Sequence, residues 1–242
     1  MMSRQIKTIG IVGGLGPEST IEYYRQIIAR YREQISDGSY PPIIIHSMDV
    51  RELLRQCGAN EFGKVRDSIV EAIQSLARAG AQFGLIASNT PHIVFDDICQ
   101  RSPLPLLSIV EATRAEAKAR GLRRLALFGS QFTMQGDFYR QVFAKAGIAI
   151  VTPDFADQQY IHEKYTTELV NGAIVQGTRR GLLEIVERLH RYTRIDGLIL
   201  GGTELPLILQ DGMVKNIPFL DTTAIHVKAA VELMLAGEKS VR

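Results

Sequence analysis

The feature that most narrows what this 242-residue chain can fold into is an internal repeat. The stretch IGIVGGLGPESTIEYYRQI at 9–27 is answered by LALFGSQFTMQGDFYRQVF at 125–143. Each runs from an apolar strand through a glycine turn into a helix carrying Tyr-Arg-Gln. FGLIASNTPH at 83–92 is answered by DGLILGGTEL at 196–205, and LPLLSIVEAT at 104–113 by IPFLDTTAIH at 217–226. Matching Tyr24 with Tyr139, Ser88 with Gly202 and Pro105 with Pro218 gives offsets of 115, 114 and 113 residues. We read a duplicated half-domain; the alternative is a set of similar βα turns within one sheet.

The local patterns say what each half contains. Short runs rich in Ile, Val and Leu occur at KTIGIVGG, PPIIIHSMD, AQFGLIAS, LPLLSIV, RRLALFGS, AIVTPD, DGLILGG and IPFLD. They are brief, lack polar alternation and close on Gly, Ser, Asp or Pro, as parallel strands buried on both faces do. Helical patterns lie between them: STIEYYRQIIARYREQ, GKVRDSIVEAIQSLARAG, GDFYRQVFAKAG, TRRGLLEIVERLHRYT and AIHVKAAVELMLAG. In the first, Ser19 with Glu22 three residues on predicts a capping box. Alternating strands and helices make an α/β fold of βαβ units. In open sheets of this kind ligands sit outside the strand C-termini.

Composition bounds the function. A 45% hydrophobic, 22% charged chain with mean hydropathy +0.02 is ordinary for a globular protein. A net charge of +2, with basic residues set among acidic neighbours as in RYREQISD, argues against nucleic acid or a membrane surface as partner. Cys57 and Cys99 are the only cysteines, so neither a disulfide framework nor a zinc site is indicated. The opening MMSRQIKTIGIVGG lacks the apolar core and cleavage site of a signal peptide, and a cytoplasmic location is expected. GGLGPES lacks both the GxGxxG spacing and the Walker A pattern, which leaves a dinucleotide oxidoreductase poorly supported.

TIGIVGGLGPESTIEYY, SNTPH and GGTEL resemble the signature segments of the aspartate/glutamate racemase family, and SIVEAT, GSQFTM and FLDTTAIH extend the likeness over essentially the whole chain. The resemblance implies two pseudosymmetric Rossmann-like domains, each a parallel sheet flanked by helices, with the site in an interdomain cleft. We place the first domain at 1–107 plus 222–242, its C-terminal helix near 222–238, and the second at 108–221. The implied activity is an amino-acid racemase working without cofactor at the Cα of a small acidic amino acid. Neither pyridoxal phosphate nor a metal is expected, and a homodimer is. In such enzymes two cysteine thiols face each other across Cα; one removes a proton and the other returns one. A thiol pKa near 8.5 suits proton trading around neutral pH.

Here the thiol positions fall to Ser88 and Gly202. An unassisted alcohol supplies no alkoxide near neutral pH, and glycine offers only its backbone N–H. A thiol–thiol mechanism is therefore closed at these positions. Glu204, the carboxylate nearest the second tip, is the candidate proton-transfer group beside Ser88; a structural role at a helix start is the alternative. Asn89, Thr90 and Thr203 match the family's substrate-holding residues, although Asn and Thr also cap helices. Thr133 belongs to a ligand-side loop, Gly202 presents its backbone, and Lys164 would meet a distal carboxylate unless it lies on a solvated helix face. His92 reads as structural or substrate-orienting, with general base as the alternative, and His46 either lines the cleft or packs at a strand end. Cys57 and Cys99 read as structural. Two further functions remain open: a non-racemising small carboxylate-binding protein, and a lyase or decarboxylase on the same scaffold.

Overall fold

The computed structural model describes residues 6–210 and 212–236. Among these, two compact units form: one of residues 6–87, 94–108 and 226–236, the other of 88–93, 109–210 and 212–225. The first carries β1 (Ile9–Gly13), α1 (Pro17–Gln34), β2 (Ile43–Ser47), α2 (Val50–Gly58), α3 (Phe62–Arg78), β3 (Phe83–Ile86), α4 (Phe95–Arg101) and β4 (Leu106–Leu107). The chain continues through α5 (Ile109–Ala119), β5 (Arg124–Gly129), α6 (Gln131–Gln135), α7 (Phe138–Ala144), β6 (Ala149–Val151), α8 (Phe155–Thr167) and α9 (Gln176–Thr193). It ends with β7 (Gly197–Gly201), α10 (Leu205–Ile208), β8 (Met213–Val214), β9 (Ile217–Asp221) and α11 (Thr222–Leu235).

The two sheets repeat one winding. The first has order β2-β1-β3-β4, all parallel; the second has β6-β5-β7-β9 in the same parallel sense, with β8 added antiparallel at the edge. Ile9 pairs with both Ile43 and Phe83, and Leu125 with Gly197. Identical strand order in two units is what duplication of a half-domain produces. The central strands explain the uninterrupted apolar runs: every residue of β1, β3 and β7 is buried. Edge strand β2 is only half-buried, which is where a strand with one open side belongs.

Helices cover these strands with i, i+4 stripes. Tyr23, Ile27 and Tyr31 of α1 join Ile9, Ile11, Phe83 and Leu85, and α11 adds Val227, Val231 and Met234. In the second unit Leu182, Ile185 and Val186 of α9 and Ile161 of α8 close on Phe128, Leu198 and Leu200. On the opposite face Tyr139 and Phe143 of α7 meet Leu125, Leu127 and Ile199. Each such side chain contributes about 1.5–3 kcal/mol on burial, so these layers hold the strand ends in register.

Two local expectations change, and one strand is added. Helix α1 starts at Pro17 behind Gly16, with no side-chain cap; Ser19 donates instead to the Ala87 carbonyl at 3.2 Å, and Glu22 takes Arg25 and Gln26. Proline's fixed φ starts the helix three residues early, so no capping box forms. The LPLLSIV run yields only the two-residue β4, because Ile109 and Val110 already belong to α5. Strand β8 was not expected from the sequence. Helix α11 ends at Leu235, and positions 237 and 238 of the expected helix lie outside the described residues. No helix among the described residues is long and apolar enough to cross a membrane.

Candidate active site

Residues 88–93 follow β3 and belong to the second unit, where their side chains are tied down one by one. The Tyr139 hydroxyl donates to Asn89 Oδ1 at 2.6 Å, Asn89 Nδ2 donates to Thr222 Oγ1 at 3.2 Å, and Thr222 Oγ1 donates to the Leu200 carbonyl at 2.7 Å. Asn89 is thus a buried bridge. Thr90 Oγ1 lies 2.9 Å from Ser130 Oγ and 3.3 Å from Thr133 Oγ1, and those two are 3.2 Å apart. The three hydroxyls form one neutral, buried, mutually hydrogen-bonded group.

The triangle sits at a switch in strand order. Thr133 and Ser130 follow β5, and the residues after β7 lie beside them because β5 and β7 pair through Gly129 and Gly201. A Cβ on Gly129 would stand 2.6 Å from the Gly201 carbonyl and 3.0 Å from Thr133 Cγ2. The glycine pair lets Thr133 settle onto both strand ends. Ser130 caps α6, its side chain accepting from the Thr133 N–H.

Ser88 is buried. His92 Nε2 accepts from the Ile109 N–H at 3.4 Å, which places the proton on Nδ1, where it is donated to the Ser88 carbonyl at 3.1 Å. His92 therefore shapes the turn through its backbone. The buried thiol of Cys57 is pushed up to about 11 by desolvation, and Cys99 is raised by partial burial and by Asp96. Neither is poised as a thiolate. His46 sits on the edge strand β2.

The second tip holds the arrangement that sequence reasoning missed. Gly202 has no room for a side chain: a Cβ there would lie 2.4 Å from Tyr165 Cε2 and 3.0 Å from Cζ. The Tyr165 hydroxyl donates to Glu204 Oε2, and Thr203 Oγ1 donates to the same oxygen at 3.0 Å. Glu204 is 1% exposed. Burial, then the Glu204 carboxylate, drives the Tyr165 phenol well above its usual range, so it stays protonated as a donor. Lys164, one residue earlier on α8, pairs with Glu168 at 2.9 Å and lies 3.7 Å from Glu163. Its charge is already compensated on its own helix. Among the described residues no group of three or more His, Cys, Asp or Glu is placed to hold a metal ion.

Residues 12–230 match the Asp/Glu/Hydantoin racemase family. The chain belongs to that family. A protein of Yersinia pestis, provisionally called an Asp/Glu racemase, superposes with a TM-score of 0.85 at 33% identity, over 95% of this chain and 100% of its own. An aspartate racemase homologue from Pyrococcus horikoshii gives 0.80 at 34% identity, over 95% and 99%. The broad specificity amino-acid racemase RacX of Bacillus subtilis is 25% identical over 240 residues, 94% of this chain and 98% of that protein. Within this family the cysteine arrangement is atypical: the two cysteines lie on α2 and α4, and Ser88 and Gly202 occupy the tips.

Proposed function

We propose that this protein moves a proton at the Cα of a small acidic amino acid without a cofactor, as an amino-acid isomerase of the racemase type. The observation that carries this reading is the cluster of buried neutral polar side chains just after the two tips, in a chain whose family and fold are those of Asp/Glu racemases. In this reading Asn89, Thr90 and Thr133, with the Gly202 backbone and Thr203, hold the substrate. Lys164 answers a distal carboxylate by leaving Glu168. Glu204 takes the Cα proton, and Ser88 lines the other tip as a hydroxyl. Weak carbon acids need the developing negative charge met by donors, and in this reading a hydroxyl of the triangle turns from its neighbour to the bound carboxylate.

A second reading is favoured by Tyr165 in the space of a side chain at 202: a protein that binds small carboxylates, or a lyase or decarboxylase, without inverting Cα. Calorimetry with L- and D-aspartate and glutamate, beside a chiral assay of the same mixtures, separates the two. Binding with slow interconversion supports the isomerase; binding with neither interconversion nor Cα exchange supports the second reading. No binding of any small carboxylate overturns both.

A further inference from the structure

Tyr165 carries no motif, yet it touches every part of the second tip. Its ring stands 2.4 to 3.1 Å from the point where a Cβ on Gly202 would be, so the ring and any side chain at 202 exclude each other. Its hydroxyl and that of Thr203 converge on one oxygen of the buried Glu204. Tyr165 as a residue is half-buried, whereas Glu204 is enclosed. Two neutral donors on one carboxylate oxygen favour the ionised form against the burial that opposes it, and they fix its direction.

We propose that Tyr165 is the positioning residue that replaces the second thiol: its ring fills the volume beside Gly202, and its hydroxyl aims Glu204 as the proton acceptor of that tip. This rests on the reading that residues 202–204 meet the substrate's Cα. The Cα–H bond breaks, the proton passes to a Glu204 oxygen, and the bonding pair is delocalised into the substrate carboxylate as an enediolate. Return of the proton from Glu204 restores the starting enantiomer; inversion takes its proton from water on the opposite face while Glu204 releases the abstracted proton to solvent, with nothing oxidised or reduced. An acceptor belonging to one tip makes exchange faster for one enantiomer.

Two variants test the assignment without needing substrate. Tyr165→Phe keeps the ring and deletes the donor. In protein labelled with 13C-glutamate, the Glu204 resonance (assigned by its loss in Glu204→Gln) should then titrate with proton affinity raised about tenfold or more. An unchanged titration overturns the positioning role. Gly202→Ala should lower the melting temperature in the wild-type background and do so much less beside Tyr165→Leu; equal losses in both backgrounds overturn the shared-volume claim. Substrate enters last, as Cα deuteration of L- and D-aspartate at a series of pH values. One enantiomer should exchange faster, with its pH midpoint moved upward in Tyr165→Phe. Equal rates for the two enantiomers, or an unmoved midpoint, overturn the assignment. Absence of any carboxylate binding by wild type defeats the functional reading instead, while the Glu204 titration and the coupling between 202 and 165 still decide whether Tyr165 acts as described.

Discussion

Asn89 is the residue at which holding a ligand and holding the protein together are hardest to separate, and Asn89→Ala tests how they are divided. Its side chain is 2% exposed and links the Tyr139 hydroxyl, itself fully buried, to Thr222 and through it to β7. Truncation strands the Tyr139 hydroxyl in surroundings that already push its phenol far above the ordinary range. It also removes one donor from Thr222. A stranded buried group costs about 1–3 kcal/mol, so we expect a loss of about 2–4 kcal/mol, or roughly 4–16 °C in Tm for a protein of this size. Tyr139→Phe strands Asn89 Oδ1 and should cost about 1–3 kcal/mol. The double variant removes both partners, and its cost should fall short of the sum by about 1–2 kcal/mol. Thermal and urea melts followed by circular dichroism supply the cycle. Single variants within about 0.5 kcal/mol of wild type, or strict additivity, would refute the bridge.

Three further outcomes are expected. Thr203→Val deletes a donor to the buried Glu204, so melts at pH 7 should show about 1.5–3 kcal/mol lost, and calorimetry should show weaker binding of an acidic amino acid. The buried His226 imidazole, which accepts from Tyr23 and donates to the Leu107 carbonyl, is held down to about 4 by desolvation, against 6.5 when unfolded. The unfolded chain binds the extra proton between those values, so stability should fall by about 3 kcal/mol as pH drops from 6.5 toward 4; His226→Asn should flatten that slope, and equal slopes would contradict it. Ser88→Cys with Gly202→Cys should yield little added Cα exchange until Tyr165→Leu makes room for the new thiol, which mass spectrometry of deuterated product would register.

Much of the fold was legible because its causes are local or repeated. Strands buried on both faces leave unbroken apolar runs, and IGIVG, FGLI and GLILG read directly as β1, β3 and β7. The duplication showed because the two halves kept their turn chemistry, and both sheets wind in one order. The misread places are those where a distant partner decides. Ser19 looked like a cap, but the Ala87 carbonyl, 68 positions away, takes its hydroxyl. Ile109 and Val110 continued a strand pattern that α5 interrupts. At the site, the absence of thiols at 88 and 202 could be read by eye. What fills the space could not: Tyr165 lies on a helix beginning 47 positions before Gly202, in a run whose periodicity marks no contact. Ser130 and Thr133 were visible as neighbours in GSQFTM, yet their meeting with Thr90 required the structure.

The central claim is that proton transfer at Cα survives without the thiol pair, through Glu204 and without a cofactor. The most direct measurement is deuterium incorporation at Cα of aspartate and glutamate, read by mass spectrometry after the protein has been dialysed against chelator and shown free of pyridoxal absorbance. The wild-type protein should incorporate deuterium, faster for one enantiomer, and a Glu204→Gln variant that still binds the ligand should lose this incorporation. No incorporation into either amino acid by a protein that binds both, or undiminished incorporation by Glu204→Gln, would contradict it.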